Sequence, residues 1–568
     1  MGLGQYRAAR PLRNAPGTAS VSAMRTTSYR GVLVVSCALL TLAGCGRKAP
    51  APDAAPPVAA TAGAGETHLP KGIDWFDGDV DAAFAAAKAA DKPLFLYWGA
   101  EWCPPCSQIK ATIFNQREFQ ERSRLFVPVY LDGDTPSAQK HGETFAVNGY
   151  PTMILFRSDG KEITRLPGGV DVTRYATILD VALADARPVT ELLAAQRKGD
   201  VLSHNDWRLL AYHSWVTDAG HTLPEAERIA TFRQLSARCP VELEADCTRL
   251  FFEYLYSAAA VAGEGGEPFS GLERAEARER LLGRLGKPSV VQANVQNLSY
   301  GATHAIGLLS DQGSPERGDL IAAWTKALDM LASGEAGTAL SAPERLNLIR
   351  ARVELARLDS PAGPLPPELI AQARSEVAKV DAEVKDGYAR QAAINAAANL
   401  YWEAGLDEDA NRLLTTELTQ TASPYYFMLS LADIAQKAGR EEEAVEWLAR
   451  AYADAKGPAT RFQWGTNYLL GLLEMTPEDT QRIERAGLDL IGELDDSPDA
   501  FYQRTRMRLE QLNTKLLDWG QGADRAQVIE KLRARTAEIC RGLPENDAGR
   551  RNCESFLKPS ARPATATA

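Results

Sequence analysis

Two cysteines three positions apart carry the clearest chemical signal in the chain. They lie in the run Trp102-Cys103-Pro104-Pro105-Cys106, between an apolar segment and an amphipathic one. This order places Cys103 at the start of a helix, where unpaired backbone N–H groups and the helix dipole favour an anion. A thiolate there is nucleophilic, and Cys106, one turn further on, can attack the mixed disulfide that Cys103 forms. We therefore expect a pair of thiols that makes and breaks disulfides.

Two other interpretations of this pair are half of a zinc site and a plain structural disulfide. Zinc would need two further ligands at similarly close spacing. The remaining close cysteine pairs, Cys239/Cys247 and Cys540/Cys553, do not have that spacing, and the six histidines are scattered. Redox chemistry is therefore favoured, and we expect no metal and no other cofactor.

The segment that must position these thiols, residues 71–187, mixes strand and helix patterns. Apolar runs bounded by turn residues predict strands, and amphipathic or Ala-rich stretches predict helices. The predicted strands cover 93–98, 125–131, 153–156 and 163–166, and the predicted helices cover 80–90, 106–113 and 172–184. The order of these elements predicts an α/β domain with the cysteine pair directly after a buried strand.

Short motifs in this segment match a known family. They are Lys92-Pro93, Ala100-Glu101-Trp102-Cys103, Cys106, Thr112-Ile113-Phe114, Gly149-Tyr150-Pro151-Thr152 and Gly168-Gly169. The segment resembles the thioredoxin superfamily, and is most similar to the periplasmic C-terminal domain of the transmembrane thiol:disulfide interchange proteins. The resemblance covers about a fifth of the chain.

The resemblance implies a catalytic site formed by Trp102, Cys103, Cys106 and Pro151, with Cys103 as the nucleophile and Cys106 as the resolving thiol. It also implies that Pro151 follows a cis peptide bond beside the thiols and presents the Tyr150 backbone to an extended substrate. An ordinary turn proline is the alternative. Protein thiols and disulfides are the implied substrates, and reduction fed by a membrane electron donor is the implied direction.

One position departs from the family pattern. Thioredoxins commonly carry a buried Asp six residues before the first cysteine, where it helps to deprotonate the resolving thiol. This chain has Tyr97 there, and the nearby Glu101 occupies a position that is usually exposed in the family. The route by which Cys106 loses its proton is therefore an open question.

The start of the chain predicts export. Residues 1–45 have a basic beginning and a short apolar run, and they end Leu42-Ala43-Gly44-Cys45, which resembles the lipobox of bacterial lipoproteins. We expect Cys45 to carry lipid; an ordinary secretory signal with a chance cysteine is the alternative. The Ala/Pro-rich residues 46–70 read as a tether. The expected location is the cell envelope, facing the periplasm, with Gly46 favouring the outer membrane.

Export to an oxidising compartment would allow the other cysteines to form disulfides. Cys239 and Cys247 are close in sequence, as are Cys540 and Cys553, and each pair spans a break between predicted helices. We expect two structural disulfides, and four free buried thiols are the alternative.

The rest of the chain predicts helices. Its 568 residues exceed a single core, and the net charge of −11 with a pI near 5.3 argues against nucleic acid as a partner. Amphipathic helices recur over residues 188–556, and residues 557–568 are expected to be a disordered tail. Within 391–458, Ala404 and Ala438, and likewise Pro424 and Pro458, are 34 positions apart, which resembles tetratricopeptide repeats.

The fold class expected is an α/β thioredoxin-like domain followed by a large all-α helical-repeat solenoid. Solenoids usually bind peptides or proteins. Aromatic residues of the repeat region either line such a binding face or fill the core: Trp402, Tyr425-Tyr426-Phe427, Trp447 and Trp464.

Two functions remain open at this stage. One is a membrane-tethered thiol–disulfide oxidoreductase whose helical domain binds client or partner proteins. The other is a non-catalytic scaffold whose thioredoxin-like domain only binds. The intact Cys103–Cys106 pair favours the enzyme.

Overall fold

The computed structural model describes residues 69–558, apart from positions 148, 169–170, 185, 219 and 496–497. Strands and helices alternate in the first part, and helices alone follow. Contacts join the whole described region into one unit. Within that region, none of the helices combines the length and apolar character needed to cross a bilayer.

A four-stranded mixed sheet forms the centre of the first part. Its strands are β1 (Leu94–Gly99), β2 (Val127–Asp132), β3 (Thr152–Phe156) and β4 (Glu162–Leu166), in the spatial order β2-β1-β3-β4. Strand β1 runs parallel to β2 and antiparallel to β3. All six residues of β1 are buried because this strand is central and both faces are covered, which explains why its sequence is a continuous apolar run.

Five helices accompany this sheet: α1 (Val80–Ala90), α2 (Pro104–Ile109), α3 (Arg117–Arg122), α4 (Pro136–Thr144) and α5 (Val172–Leu183). The Asp79 side chain caps α1 by accepting from the Ala82 N–H at 2.7 Å. The predicted helix over 106–113 changes character at its midpoint, because Lys110–Phe114 form a π-helical turn. The sequence patterns missed α3 and α4, which are short and largely polar. The observed second strand begins two residues later than predicted, because a 3₁₀ turn occupies Ser123–Leu125.

The second part of the described chain contains helices and short 3₁₀ turns. The helices are α6 (Val189–Lys198), α7 (His204–Tyr212), α8 (Trp215–Asp218), α9 (Glu225–Arg238), α10 (Glu244–Gly263), α11 (Gly271–Leu285), α12 (Pro288–Ala293), α13 (Val295–Tyr300), α14 (Ala302–Leu309), α15 (Pro315–Ala332), α16 (Gly334–Ala339), α17 (Ala342–Ala356), α18 (Pro367–Glu383), α19 (Gly387–Ala404), α20 (Asp407–Glu417), α21 (Pro424–Lys437), α22 (Glu441–Asp454), α23 (Pro458–Met475), α24 (Thr480–Gly492), α25 (Gln503–Trp519), α26 (Ala523–Arg541) and α27 (Ala548–Ser555). The expected fold class, an α/β domain followed by an all-helical region, is confirmed. We call the second part the helical domain.

The 34-residue spacing reappears in the helices. Pro424 and Pro458 each stand at the start of a helix, α21 and α23, where the missing N–H is not needed. Gly405 and Gly439 both follow a helix with a positive φ, 71° and 73°, a conformation that suits glycine. Helix starts and helix ends therefore recur with the same spacing as the sequence repeat, while membership of the tetratricopeptide family stays a prediction.

Two disulfides lie in the helical domain, at the two close cysteine pairs. Cys239, just after α9, is joined to Cys247 in α10, with the two Cα atoms 6.3 Å apart. Cys540 in α26 is joined to Cys553 in α27, with a Cα separation of 5.7 Å. Each bridge ties two successive helices together across the turn between them.

Replacing Cys540 and Cys553 together by Ala should lower the free energy of unfolding. A bridge that closes a loop of this length is worth ~2–3 kcal/mol through the entropy of the unfolded chain. Urea unfolding of protein made in an oxidising compartment measures the loss. Mass spectrometry of non-reduced peptides from the wild type is the control, and free thiols at both positions would contradict the pairing.

Candidate active site

The cysteine pair lies where β1 ends and α2 begins. Cys103 is the N-cap residue of α2, and its Sγ accepts a hydrogen bond from the Cys106 N–H at 3.1 Å. Pro104 occupies the first helical position, which requires no N–H. Because Pro104 and Pro105 have no N–H, the Cys106 N–H is the first that the helix offers to this sulfur. That N–H and the positive end of the helix dipole stabilise a thiolate over a thiol. The local sequence thus produces the geometry that a nucleophilic Cys103 requires.

The structure holds the pair in its oxidised form. Cys103 and Cys106 are joined by a disulfide, with their Cα atoms 5.2 Å apart. Cys103 is only 2% exposed and Cys106 is fully buried. The exposure of Cys103 is small because the helical domain covers this face.

Tyr150, in the loop before β3, belongs to the same buried cluster as Cys103 and Cys106. The Tyr150–Pro151 peptide bond is cis. The Tyr150 hydroxyl donates to the Gly133 carbonyl at 2.9 Å, and its ring meets the Trp102 ring edge-on with centroids 5.7 Å apart. Trp102, expected at the site from sequence, thus contacts the residue that directly precedes Pro151.

Trp102 is covered by aromatic residues of the helical domain. Its indole N–H donates to the Thr460 hydroxyl at 2.7 Å. The Tyr426 ring stacks on it at 6.0 Å, and the Trp464 ring meets it edge-on at 4.8 Å. Tyr426 and Trp464 therefore do not line an open binding face. They pack against Trp102 of the other domain.

Other members of that aromatic set fill the interior. Tyr425 and Phe427 are 2% and 0% exposed, as the core interpretation requires. Trp402 and Trp447 are partly buried, and each ring contacts a cation, the Lys437 ammonium and the Arg450 guanidinium respectively.

Gln391 of α19 bridges both sides of the redox motif. Its amide nitrogen donates to the Trp102 carbonyl at 2.7 Å, and its amide oxygen accepts from the Ser107 hydroxyl at 2.7 Å. These two groups belong to the residues directly before Cys103 and directly after Cys106. One side chain from the helical domain therefore holds the peptide on each side of the disulfide.

The start of α25 covers the proline loop. The Gln503 side-chain amide donates to the Val147 carbonyl. The neighbouring Arg504 guanidinium lies over the Tyr150 ring at 4.7 Å and over the Trp102 ring at 5.3 Å. Such contacts between a cation and an aromatic face are strongest where water is excluded.

Asp134 makes the matching contact from the thioredoxin-like side. It follows β2, and its Oδ1 accepts from the Thr460 N–H at 2.6 Å, so it caps helix α23 of the other domain. Burial raises the pKa of the Asp134 carboxyl to about 7, although hydrogen bonds from Thr460 act in the opposite direction. A carboxyl group held this far from water depends on the contact between the domains.

Tyr97 does not replace the missing Asp as a proton acceptor. Its hydroxyl is fully buried without a hydrogen-bond partner, and burial raises its pKa far above the ordinary value, with Tyr388 and Asp132 adding to the rise. The phenol therefore stays protonated at neutral pH.

Lys110 is a buried amine one turn after Cys106. The side chain has no exposed surface, and its Nζ has no hydrogen-bond acceptor within reach. The Nζ lies 5.1 Å from the centre of the Tyr388 ring. Burial lowers the pKa of Lys110 to about 8, and the charges of Glu101 and Asp132 oppose that shift. The site therefore contains a buried basic group one turn after Cys106.

Sequence reasoning missed several of these residues for different reasons. Gln391, Thr460 and Arg504 are hundreds of positions from Cys103, and nothing in their local sequence marks them. Lys110 did carry a signal, since it stands four positions after Cys106 and therefore on the same helix face.

Two expectations concern features outside this geometry. Cys45, the expected lipidation site, lies outside the described residues. Across the described parts of the chain, no group of three or more His, Cys, Asp or Glu side chains is placed to hold a metal ion.

Comparison with known proteins places the fold. The model of the thioredoxin-like domain family matches residues 80–183. A thioredoxin from Pseudomonas aeruginosa is 30% identical over 93 residues, which is 16% of this chain and 80% of that protein. The chain belongs to the thioredoxin-like family through this domain, and the resemblance expected from sequence is confirmed.

Two further relatives are more distant in coverage or identity. The thiol:disulfide interchange protein DsbD of Photorhabdus laumondii is 30% identical over 88 residues, and the match spans 15% of each protein. The solution structure of a thioredoxin from Thermus thermophilus is 22% identical, with a TM-score of 0.20, and covers 23% of this chain and 98% of its own. The similarity thus concerns one domain and a small share of the interchange protein. The family and the disulfide-forming pair together support thiol–disulfide chemistry.

Replacing Lys110 by Met should make the stability less dependent on pH. The folded-state pKa, about 8, lies below the ordinary 10.5. The unfolded chain therefore binds more protons between these pH values, so stability rises with pH in this range. The buried amine costs no stability above pH 10.5, and its cost grows as the pH falls and is complete below pH 8. At pH 7 the variant should be more stable than the wild type by ~2 kcal/mol or more.

That difference in the free energy of unfolding should shrink steadily between pH 8 and pH 10.5, as measured by urea unfolding at several pH values. Lys326→Met is a control, because Lys326 lies on α15 outside the buried cluster around Lys110. If the free energies of unfolding of Lys110→Met and the wild type differ by the same amount at every pH, burial does not lower the pKa of Lys110.

Proposed function

We propose that this protein is a membrane-tethered thiol–disulfide oxidoreductase of the cell envelope. The observation that carries the proposal is Cys103 at the N-cap of α2, disulfide-bonded to Cys106 and in the same buried cluster as Tyr150, whose bond to Pro151 is cis. The helix dipole and the Cys106 N–H favour a nucleophilic thiolate at Cys103, and the second thiol is one turn away.

Reduction of a substrate proceeds in two exchanges. The Cys103 thiolate attacks one sulfur of a protein disulfide, forming a mixed disulfide and releasing the first substrate thiolate. Cys106 then gives up its proton and attacks the Cys103 sulfur, which reforms the Cys103–Cys106 disulfide and releases the second substrate thiolate. Two electrons pass to the substrate, and a dithiol donor at the membrane returns them to the pair. The preference for reduction rests on the resemblance to the interchange proteins.

The helical domain has a place in this proposal as the part that chooses protein partners. Helical arrays of this kind commonly bind proteins. The alternative, a scaffold whose thioredoxin-like domain only binds, is favoured by one observation, the near-complete burial of Cys103 and Cys106. An insulin-reduction assay separates the two: Cys103→Ser and Cys106→Ser should each lose activity by at least about 100-fold, whereas a scaffold shows none in the wild type.

The roles of the two cysteines can be tested by trapping. In cells, Cys106→Ser should accumulate mixed disulfides with client proteins on Cys103, because the resolving attack is removed. Cys103→Ser is the matched control and should trap few or none. Non-reducing electrophoresis followed by mass spectrometry reads out both variants. Equal trapping by Cys103→Ser would mean that the roles are reversed.

The membrane tether is proposed from Leu42-Ala43-Gly44-Cys45. The wild type, expressed as the full chain, should fractionate with membranes and carry an acyl group on Cys45. Cys45→Ala should appear in the soluble fraction without that group. A wild-type protein that is soluble and unmodified would exclude the lipoprotein interpretation.

A further inference from the structure

The contact between the redox face and the helical domain is the feature on which this inference rests. We define the redox face as Trp102, Cys103 and the Tyr150–Pro151 loop. Trp102 is 8% exposed and Tyr150 is 3% exposed, in addition to the buried cysteines. A face that must meet protein substrates is thus covered by residues of the same chain.

This cover excludes a protein substrate in two ways. An attacking or attacked sulfur must approach the Cys103 Sγ, which is almost entirely enclosed. An extended substrate would pair with the backbone of the proline loop, and that loop is covered by Gln503 and Arg504. The oxidised pair is therefore shielded from large reactants in this arrangement.

The contact is held by a small number of polar anchors around an aromatic centre. Gln391, Thr460 and Arg504 each contact Trp102 or its backbone, and Asp134 caps α23. Polar groups such as these recover hydrogen bonds with water when they separate, so the net cost of parting them is modest. The aromatic packing, in contrast, favours the covered state.

We propose that Gln391, Thr460 and Arg504 make the helical domain a gate that determines which substrates reach Cys103, and that protein disulfides react only after this contact opens. The proposal rests on the proposed function and deepens it, because it names what selects the substrate. Small dithiols need less opening than a folded protein, so they should be restricted less.

Gly457 offers a way to loosen the gate without touching a redox residue. It precedes α23 with a φ of 81°, and a Cβ there would overlap the Asp134 carboxylate. Gly439 is a matched control, because its φ is 73° and a Cβ there would meet nothing within 4 Å. Gly457→Ala and Gly439→Ala both place a side chain at a positive φ. The ψ of 150° at Gly457 adds backbone strain of its own, and only Gly457→Ala puts a Cβ against Asp134.

The experiment compares the full-length wild type, Gly457→Ala and Gly439→Ala. After reduction, the rate at which a bulky maleimide labels Cys103 is measured beside the rate for the small reagent iodoacetamide. Gly457→Ala should raise the maleimide rate by at least about tenfold and the iodoacetamide rate by much less. Gly439→Ala should match the wild type in both. Equal maleimide rates in all three proteins would overturn the gate.

A second variant covers the case in which Gly457→Ala does not fold. Gln391→Glu keeps the size of the side chain but turns a carboxylate oxygen toward the Trp102 carbonyl, which removes the donated hydrogen bond. Its control is Gln372→Glu on α18, which adds the same charge at an exposed position. Faster maleimide labelling in Gln391→Glu than in Gln372→Glu is expected, and equal labelling would overturn the gate.

Insulin reduction by the same proteins separates the gate from the proposed function. Faster insulin reduction in Gly457→Ala and Gln391→Glu than in the wild type supports both. Faster labelling without any insulin reduction, in the variants or the wild type, supports the gate and counts against the oxidoreductase. Insulin reduction by the wild type at the rate of the opened variants overturns the gate and leaves the oxidoreductase standing.

Discussion

The packing of the helical domain on Trp102 is the constraint on which the rest of the site depends. Thr460 binds the indole N–H, and Tyr426 and Trp464 cover the ring. Because Trp102 directly precedes Cys103, anything that holds this ring also fixes the start of α2. The burial of the disulfide and of Asp134 accompanies this contact, and the start of α25 extends the cover to the proline loop.

Excluding water from a redox centre has an electrostatic consequence. The buried Lys110 amine and the Tyr97 hydroxyl have no hydrogen-bond partners, and such groups are costly to bury. Burial favours the uncharged form of each group, so it lowers the pKa of the amine and raises the pKa of the phenol. At pH 7 the Tyr97 phenol is neutral, whereas Lys110, with a pKa of about 8, still binds its proton and pays the cost of a buried charge. Strongly shifted pKa values cluster at functional sites.

Local patterns sufficed for the α/β domain because its elements are set by short-range preferences. The continuous apolar run of β1 predicts a buried strand, and an Ala-rich stretch predicts α1, which the Asp79 side chain caps in the structure. Helices α3 and α4 were missed, since short polar helices gain their stability from tertiary contacts. The π turn over Lys110–Phe114 was also missed, because its backbone differs from an α-helix by one hydrogen-bond register.

The sequence by itself determined the chemistry: a helix N-cap at Cys103, a second thiol one turn later, and proline and aromatic residues of a recognisable family. Only the tertiary structure decided which molecules can reach the Cys103–Cys106 pair. Gln391, Thr460 and Arg504 come to the redox face from helices that follow it by hundreds of residues, and none has a distinctive local pattern. The physical reason is that thiol reactivity arises from a few neighbouring backbone groups, whereas accessibility depends on the whole packed arrangement.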